Sequence, residues 1–146
     1  MREPDPNPHM AYEIPRGHAV RRPGEANPDT VFIKAERQGT EYIHHYLIQI
    51  KPSQAKGLAL IYVDPEETLV DCGAAPSFTC SNGETRDNPD IGEIFENTKG
   101  TYLKVIEDPK SQKMFAFIDI TSGEIKRRQE RHVKTVYRAW EVTLEI

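Results

Sequence analysis

Four cations, Arg127, Arg131, Lys134 and Arg138, recur at helical spacing in the stretch EIKRRQERHVKTVYRAW. Between Lys126 and Arg138 stand six Lys or Arg residues and one acid, Glu130. Such a stripe recognises anions. It could neutralise the phosphates of a nucleic acid while Tyr137 or Trp140 stacks on bases. It could equally dock on the acidic rim of a protein, another copy of this chain included. The plainer reading is a solvated face whose charges meet acids of the same fold, and the chain supplies those acids. From Asp64 to Glu96 there are nine acids against one base, Arg86. With 19 Lys and Arg against 23 Asp and Glu, the formal net charge is −4, which disfavours unspecific binding to polyanions.

Other residue groups carry less. Cys72 and Cys80 are the two cysteines, separated by seven residues, a gap that fits no common zinc-finger spacing. The expectation is two reduced thiols, with a local disulfide as the alternative. A nucleophilic enzyme would have to use one of them with a histidine such as His132, and would need a depressed thiol pKa. Adjacent His44 and His45 point to opposite faces of a strand and so cannot share one metal ion. One half-buried and one exposed imidazole are expected. The acid pairs Glu66-Glu67 and Asp87-Asp90 fall in turn-rich sequence, where carboxylates cap and solvate. No phosphate-binding glycine loop, nucleophile elbow or HExxH motif occurs. No catalytic residue, metal site or cofactor is expected from these patterns.

The elements that must position these residues read mainly as strands. TVFIKAER and TEYIHHYLIQIK flank Gln38-Gly39 and suit a hairpin. In the second run Tyr42, His44, Tyr46, Ile48 and Ile50 share one face, and Ile43, His45, Leu47 and Gln49 the other. Apolar residues on both faces predict a central strand. LALIYV and TLVDC read as strands around a DPEE turn. GAAPSFTCSNGETRDNPD, residues 73–90, reads as a long loop and is the first place to look for contacts. IGEIFEN and TYLKVIED predict a second hairpin, with a short helix from Asp90 as an option, and KMFAFIDI a further strand before a TSGE turn. Two periods compete in the basic stretch. Val133, Val136, Tyr137 and Trp140 form a helical stripe, whereas WEVTLEI alternates as a strand. The reading adopted is a helix over Gln129–Arg138 feeding a final strand, with a strand throughout 126–139 as the alternative.

Short, regularly spaced strands without alternating long helices predict one mostly β domain over residues 30–146. It would be a small antiparallel sandwich or open barrel, all-β or α+β, with at most one or two short helices. Residues 1–29 hold six of the eleven prolines and read as an extended arm. No apolar run has the length of a membrane span or the character of a signal peptide, so a soluble cytoplasmic protein, or part of a particle assembled inside the cell, is expected. The arm, the long loop and the divided charge favour contacts made by surface. The expected function is a non-catalytic interaction or assembly subunit of a larger complex or particle, virion-like or cellular, that binds protein neighbours or itself. The alternatives are a small nucleic-acid-binding domain using Arg127, Arg131, Lys134 and Arg138, and a small enzyme with a Cys/His site.

Overall fold

The computed structural model describes residues 8–52, 57–86, 88–108, 111–126 and 135–143. In chain order the elements are β1 (Pro8–Met10), a 3-10 turn (Ala11–Glu13), β2 (Ala19–Arg21), β3 (Val31–Gln38), β4 (Ile43–Lys51), β5 (Ile61–Val63), β6 (Thr68–Asp71), β7 (Ser77–Glu84), β8 (Ile94–Glu96), β9 (Thr101–Asp108), β10 (Ser111–Asp119), β11 (Ile125–Lys126) and β12 (Thr135–Thr143). They form two antiparallel sheets, in the orders β1-β6-β2-β3-β4-β5 and β11-β10-β9-β8-β12-β7. The expected mostly β class is what the chain adopts. Among the described residues no helix is long and apolar enough to cross a membrane.

The β3–β4 hairpin organises the first sheet. Gln38 pairs with Ile43, and the link is closed by the Gly39 amide donating to the Tyr42 carbonyl at 2.8 Å. A Cβ on Gly39 would lie 2.6 Å from that carbonyl oxygen, so the turn needs glycine for its close approach. β4 is central, between β3 and β5, and buries both faces. Ile48, with Ala35 of β3, faces the second sheet and packs with Ile94, Leu103, Val105, Ala116 and Ile118. Leu47, with Phe32 of β3, faces the other way. There the sheet curls into a half-barrel filled by Ala11, Ile14, Val20, Val63 and Leu69.

Within the described part of the proline-rich segment, residues 8–29, β1 and β2 join this first sheet. β2 sits between β6 and β3, and Ala11, Ile14, Ala19 and Val20 are buried. Arg22 grips Glu67 through both carboxylate oxygens, at 2.8 and 2.9 Å. The two sheets also touch through backbone. Glu36 donates to the Gly123 carbonyl at 3.0 Å, and Leu60 to the Ile106 carbonyl at 2.9 Å.

Three expectations need correction. Residues 73–90 are not a long loop, because Ser77–Glu84 form β7 at the edge of the second sheet, paired with β12. No helix starts at Asp90; Ile91 and Gly92 turn directly into β8. The helix expected over Gln129–Arg138 fails at its C-terminal end, since Thr135–Arg138 belong to β12, while residues 129–134 lie outside the described residues. The reason is tertiary. β12 is clamped between β8 and β7, and Val, Thr and Tyr suit a strand better than a helix.

The misleading period has a structural source. Tyr137 and Trp140, three residues apart, both pack against the inter-sheet core, while Val136 packs on the outer face with Phe95, Tyr102 and Phe117. Strict alternation would send Tyr137 and Trp140 to opposite faces, so it slips once between them. Across the pairing, between Ser81 and Gly83, stands Asn82 with φ of 58°.

Candidate functional site

Of the four cations singled out, Arg127, Arg131 and Lys134 lie outside the described residues, and Arg138 is the one the structure places. Arg138 is on β12, 61% exposed, and its Nε donates to the Glu84 carboxylate at 2.9 Å. Glu84 also lies 3.5 Å from Arg86, which bonds Glu93 in turn. Arg138 therefore meets the acidic middle of its own chain. The two rings that could have stacked on bases are engaged inside the protein. Trp140 packs edge-on against Phe78 at 5.6 Å and donates its indole hydrogen to the Gly92 carbonyl at 2.7 Å. Tyr137 donates its hydroxyl to Glu96 at 2.9 Å.

Both cysteines are free thiols. Burial pushes each above its ordinary value; Asp71 adds to the effect at Cys72 against an opposing pull from Arg21, and Glu96 adds to it at Cys80. That is opposite to an activated nucleophile, which needs a stabilised thiolate. His132, the histidine paired with them in the enzyme reading, lies outside the described residues. Among the described residues no group of three or more His, Cys, Asp or Glu side chains could hold a metal ion. Glu67 of the Glu66-Glu67 pair is spent on Arg22; Asp87 is outside the described residues.

Sequence reasoning missed a charged group inside the half-barrel. Lys34 is completely buried on β3, and its Nζ donates to the Ile14 carbonyl at 2.9 Å and to the Glu36 carboxylate. His45, on β4 and paired in register with Glu36, places Nδ1 3.9 Å from that carboxylate. The distance is too long for a hydrogen bond, and Nδ1 is buried without a hydrogen-bond partner among the described residues. Burial lowers the pKa of both Lys34 and His45, with the Lys34 charge pushing His45 further down and Glu36 opposing both shifts. The signal was present. Lys34 and Glu36 alternate with Ile33 and Ala35 in a strand too apolar to be half exposed. His44 stays exposed while His45 is buried, as the opposite-face argument requires.

Two clefts and an edge strand also stand out among the described residues. A cleft of ≈ 590 Å³ lies where β5 ends and turns away from β4, lined by Glu41, Tyr42, Ile43, His45, Tyr62 and Pro65 among others. Another of ≈ 350 Å³ lies beside β7, lined by Phe78, Cys80, Glu96, Ile120 and Tyr137 among others. β7 is the long edge strand. The other three edge strands, β1, β5 and β11, have 3, 3 and 2 residues, whereas β7 has 8. Among the described residues β7 pairs with β12 alone. Phe78 packs inward, while Ser77, Thr79 and Ser81 are exposed.

These features define a two-sheet β protein with an open strand edge and a polar group sealed in a half-barrel. No protein-family model, curated protein or solved structure matches the chain.

Proposed function

We propose that this chain is a non-catalytic assembly subunit that joins copies of itself edge to edge through β7. The observation that carries the reading is the open side of β7, eight residues long and without a lysine or proline in Ser77–Glu84. Edge strands are ordinarily blunted by lysine, proline or shortness, because their unpaired amides and carbonyls template a further strand. Among the described residues the other edges are short, and β7 alone has the length to pair with an incoming strand.

The sequence of β7 suits a copy of itself. An antiparallel pairing about a two-fold axis at Thr79 sets Ser77 against Ser81, Phe78 against Cys80 and Thr79 against its own copy, so that opposed residues share a face. No like charges meet, and the exposed face becomes a row of hydroxyls. The proline-rich segment is less suited to this task over its described residues, since Ala11, Ile14, Ala19 and Val20 are committed to the chain's own core.

The test is the mass of the full-length chain in solution by light scattering across a concentration series. It is compared with the double variant Thr79→Lys, Ser81→Lys, which places lysines on the exposed face of the same edge. A dimer or larger assembly in the wild type, converted to monomer in the variant with its circular dichroism unchanged, supports the reading. A wild type that stays monomeric at every concentration overturns it. So does an assembly that the two lysines leave intact.

A further inference from the structure

We infer that the cleft at the end of β5 binds an alkylammonium group. Its walls are aromatic and aliphatic. Tyr42 and Tyr62 are 71% and 59% exposed, Ile43 is 45% exposed, and Pro65 adds a further apolar surface. Large side chains this open, gathered around one concavity, are costly unless something covers them. Among the described residues the lining carries the Glu41 carboxylate and neither lysine nor arginine.

His45 gives the cleft its polar end. The imidazole side chain is 7% exposed and lines the cavity. Its Nδ1 is buried 3.9 Å from the Glu36 carboxylate and is inaccessible. The ring is held neutral by burial and by Lys34. Lys34, whose ammonium bonds Ile14 and Glu36, makes no hydrogen bond to Nδ1. The cleft therefore offers an uncharged imidazole at its end, a carboxylate on its lining and aromatic surface along its walls. An ammonium head supplies the positive charge for Glu41 and the tyrosine faces. Its alkyl stem covers Ile43 and Pro65.

Two sources share this chemistry, a free alkylamine and the lysine side chain of a protein. The probe is n-butylammonium chloride, titrated into isotopically labelled full-length chain. Readouts are the His45 ring nitrogens and the backbone amides of Ile43 and Tyr62 by NMR. n-Butanol, which keeps the stem and removes the charge, is titrated in parallel. The expected result is a saturable shift at all three residues with butylammonium and none with butanol. Binding should weaken about threefold to tenfold in Tyr62→Ala and in Glu41→Gln. Both substituted residues lie outside the buried core, so these variants keep the fold. A lysine-containing tripeptide that saturates the same signals at lower concentration assigns the natural source to protein, and one no tighter than butylammonium assigns it to a free amine. Equal shifts with butanol overturn the proposal, as does butylammonium that moves none of the three residues.

Discussion

Lys34 is a charge inside a half-barrel, and its neighbours determine what it contributes. Glu36 and the Ile14 carbonyl compensate its desolvation. Removing the carboxylate by Glu36→Gln leaves a buried ammonium without its counter-charge and is expected to cost about 3 kcal/mol. Lys34→Met should cost less. Glu36 is 17% exposed and can regain water, and the thioether fills the space of the lysine stem. Urea denaturation of the two variants checks that order. His45 provides a pH signature. Its pKa in the fold lies below the ordinary 6.5, so as the pH falls the unfolded chain takes up this proton first. The ring's contribution thus favours the folded protein fully above 6.5 and declines as the pH drops through the window beneath it. His45→Phe removes that titration. As the pH falls below 6.5 the variant should lose less stability than the wild type, read from denaturation midpoints. Parallel losses in the two proteins would assign the acid sensitivity to other groups.

At the scale of the element, β12 is where sequence and structure diverge most usefully. Trp140 seals the inter-sheet core near Phe78 and Val142, and Trp140→Ala is expected to cost about 3 kcal/mol. Asn82, opposite the slip in alternation, has a left-handed backbone. Asn82→Gly should hold stability within about 0.5 kcal/mol, whereas Asn82→Val should lose about 1–2 kcal/mol, both measured by thermal unfolding. The hairpins β3–β4 and β8–β9 were legible because their apolar residues sit in regular runs around short polar links. The two buried faces of β4 were legible for the same reason. β7 was not, since its inward residues number few, Phe78 and Cys80 among them, and its outward ones are Ser and Thr, indistinguishable from loop composition. The start of β12 was misread because one slip in alternation placed Tyr137 and Trp140 at helical spacing. Of the candidate sites, the basic stretch was read from charge alone, which does not reveal that Arg138 meets Glu84. The Lys34–Glu36–His45 group depends on the register of β3 against β4, and a single sequence does not state which residues face each other across a hairpin.

At the scale of the whole molecule, the two sheets are held together by more than side-chain packing. The turn after β10 reaches the first sheet where Gly123, at φ +76°, meets Gly17, at φ +89°. A Cβ on Gly123 would fall on the Gly17 backbone nitrogen and crowd the Lys34 carbonyl. Gly123→Ala therefore strains one backbone and displaces another, and should cost at least about 2 kcal/mol, lowering the melting temperature of the entire protein in a single transition. Two separate transitions would mean that the sheets unfold independently.

The position of β7 has a consequence for the order of events during synthesis. Its partner in the described sheet is β12, whose first residue follows the end of β7 by some fifty positions. While the ribosome extends the chain from β8 through β11, Ser77–Glu84 waits with both of its edges unpaired. The lysine-free strand that forms one border of the finished protein is, during that interval, open to neighbouring nascent chains on two sides instead of one. A stall in translation before Thr135 would hold the chain in that state, so crowded translation should raise the aggregated fraction well before any completed copy unfolds.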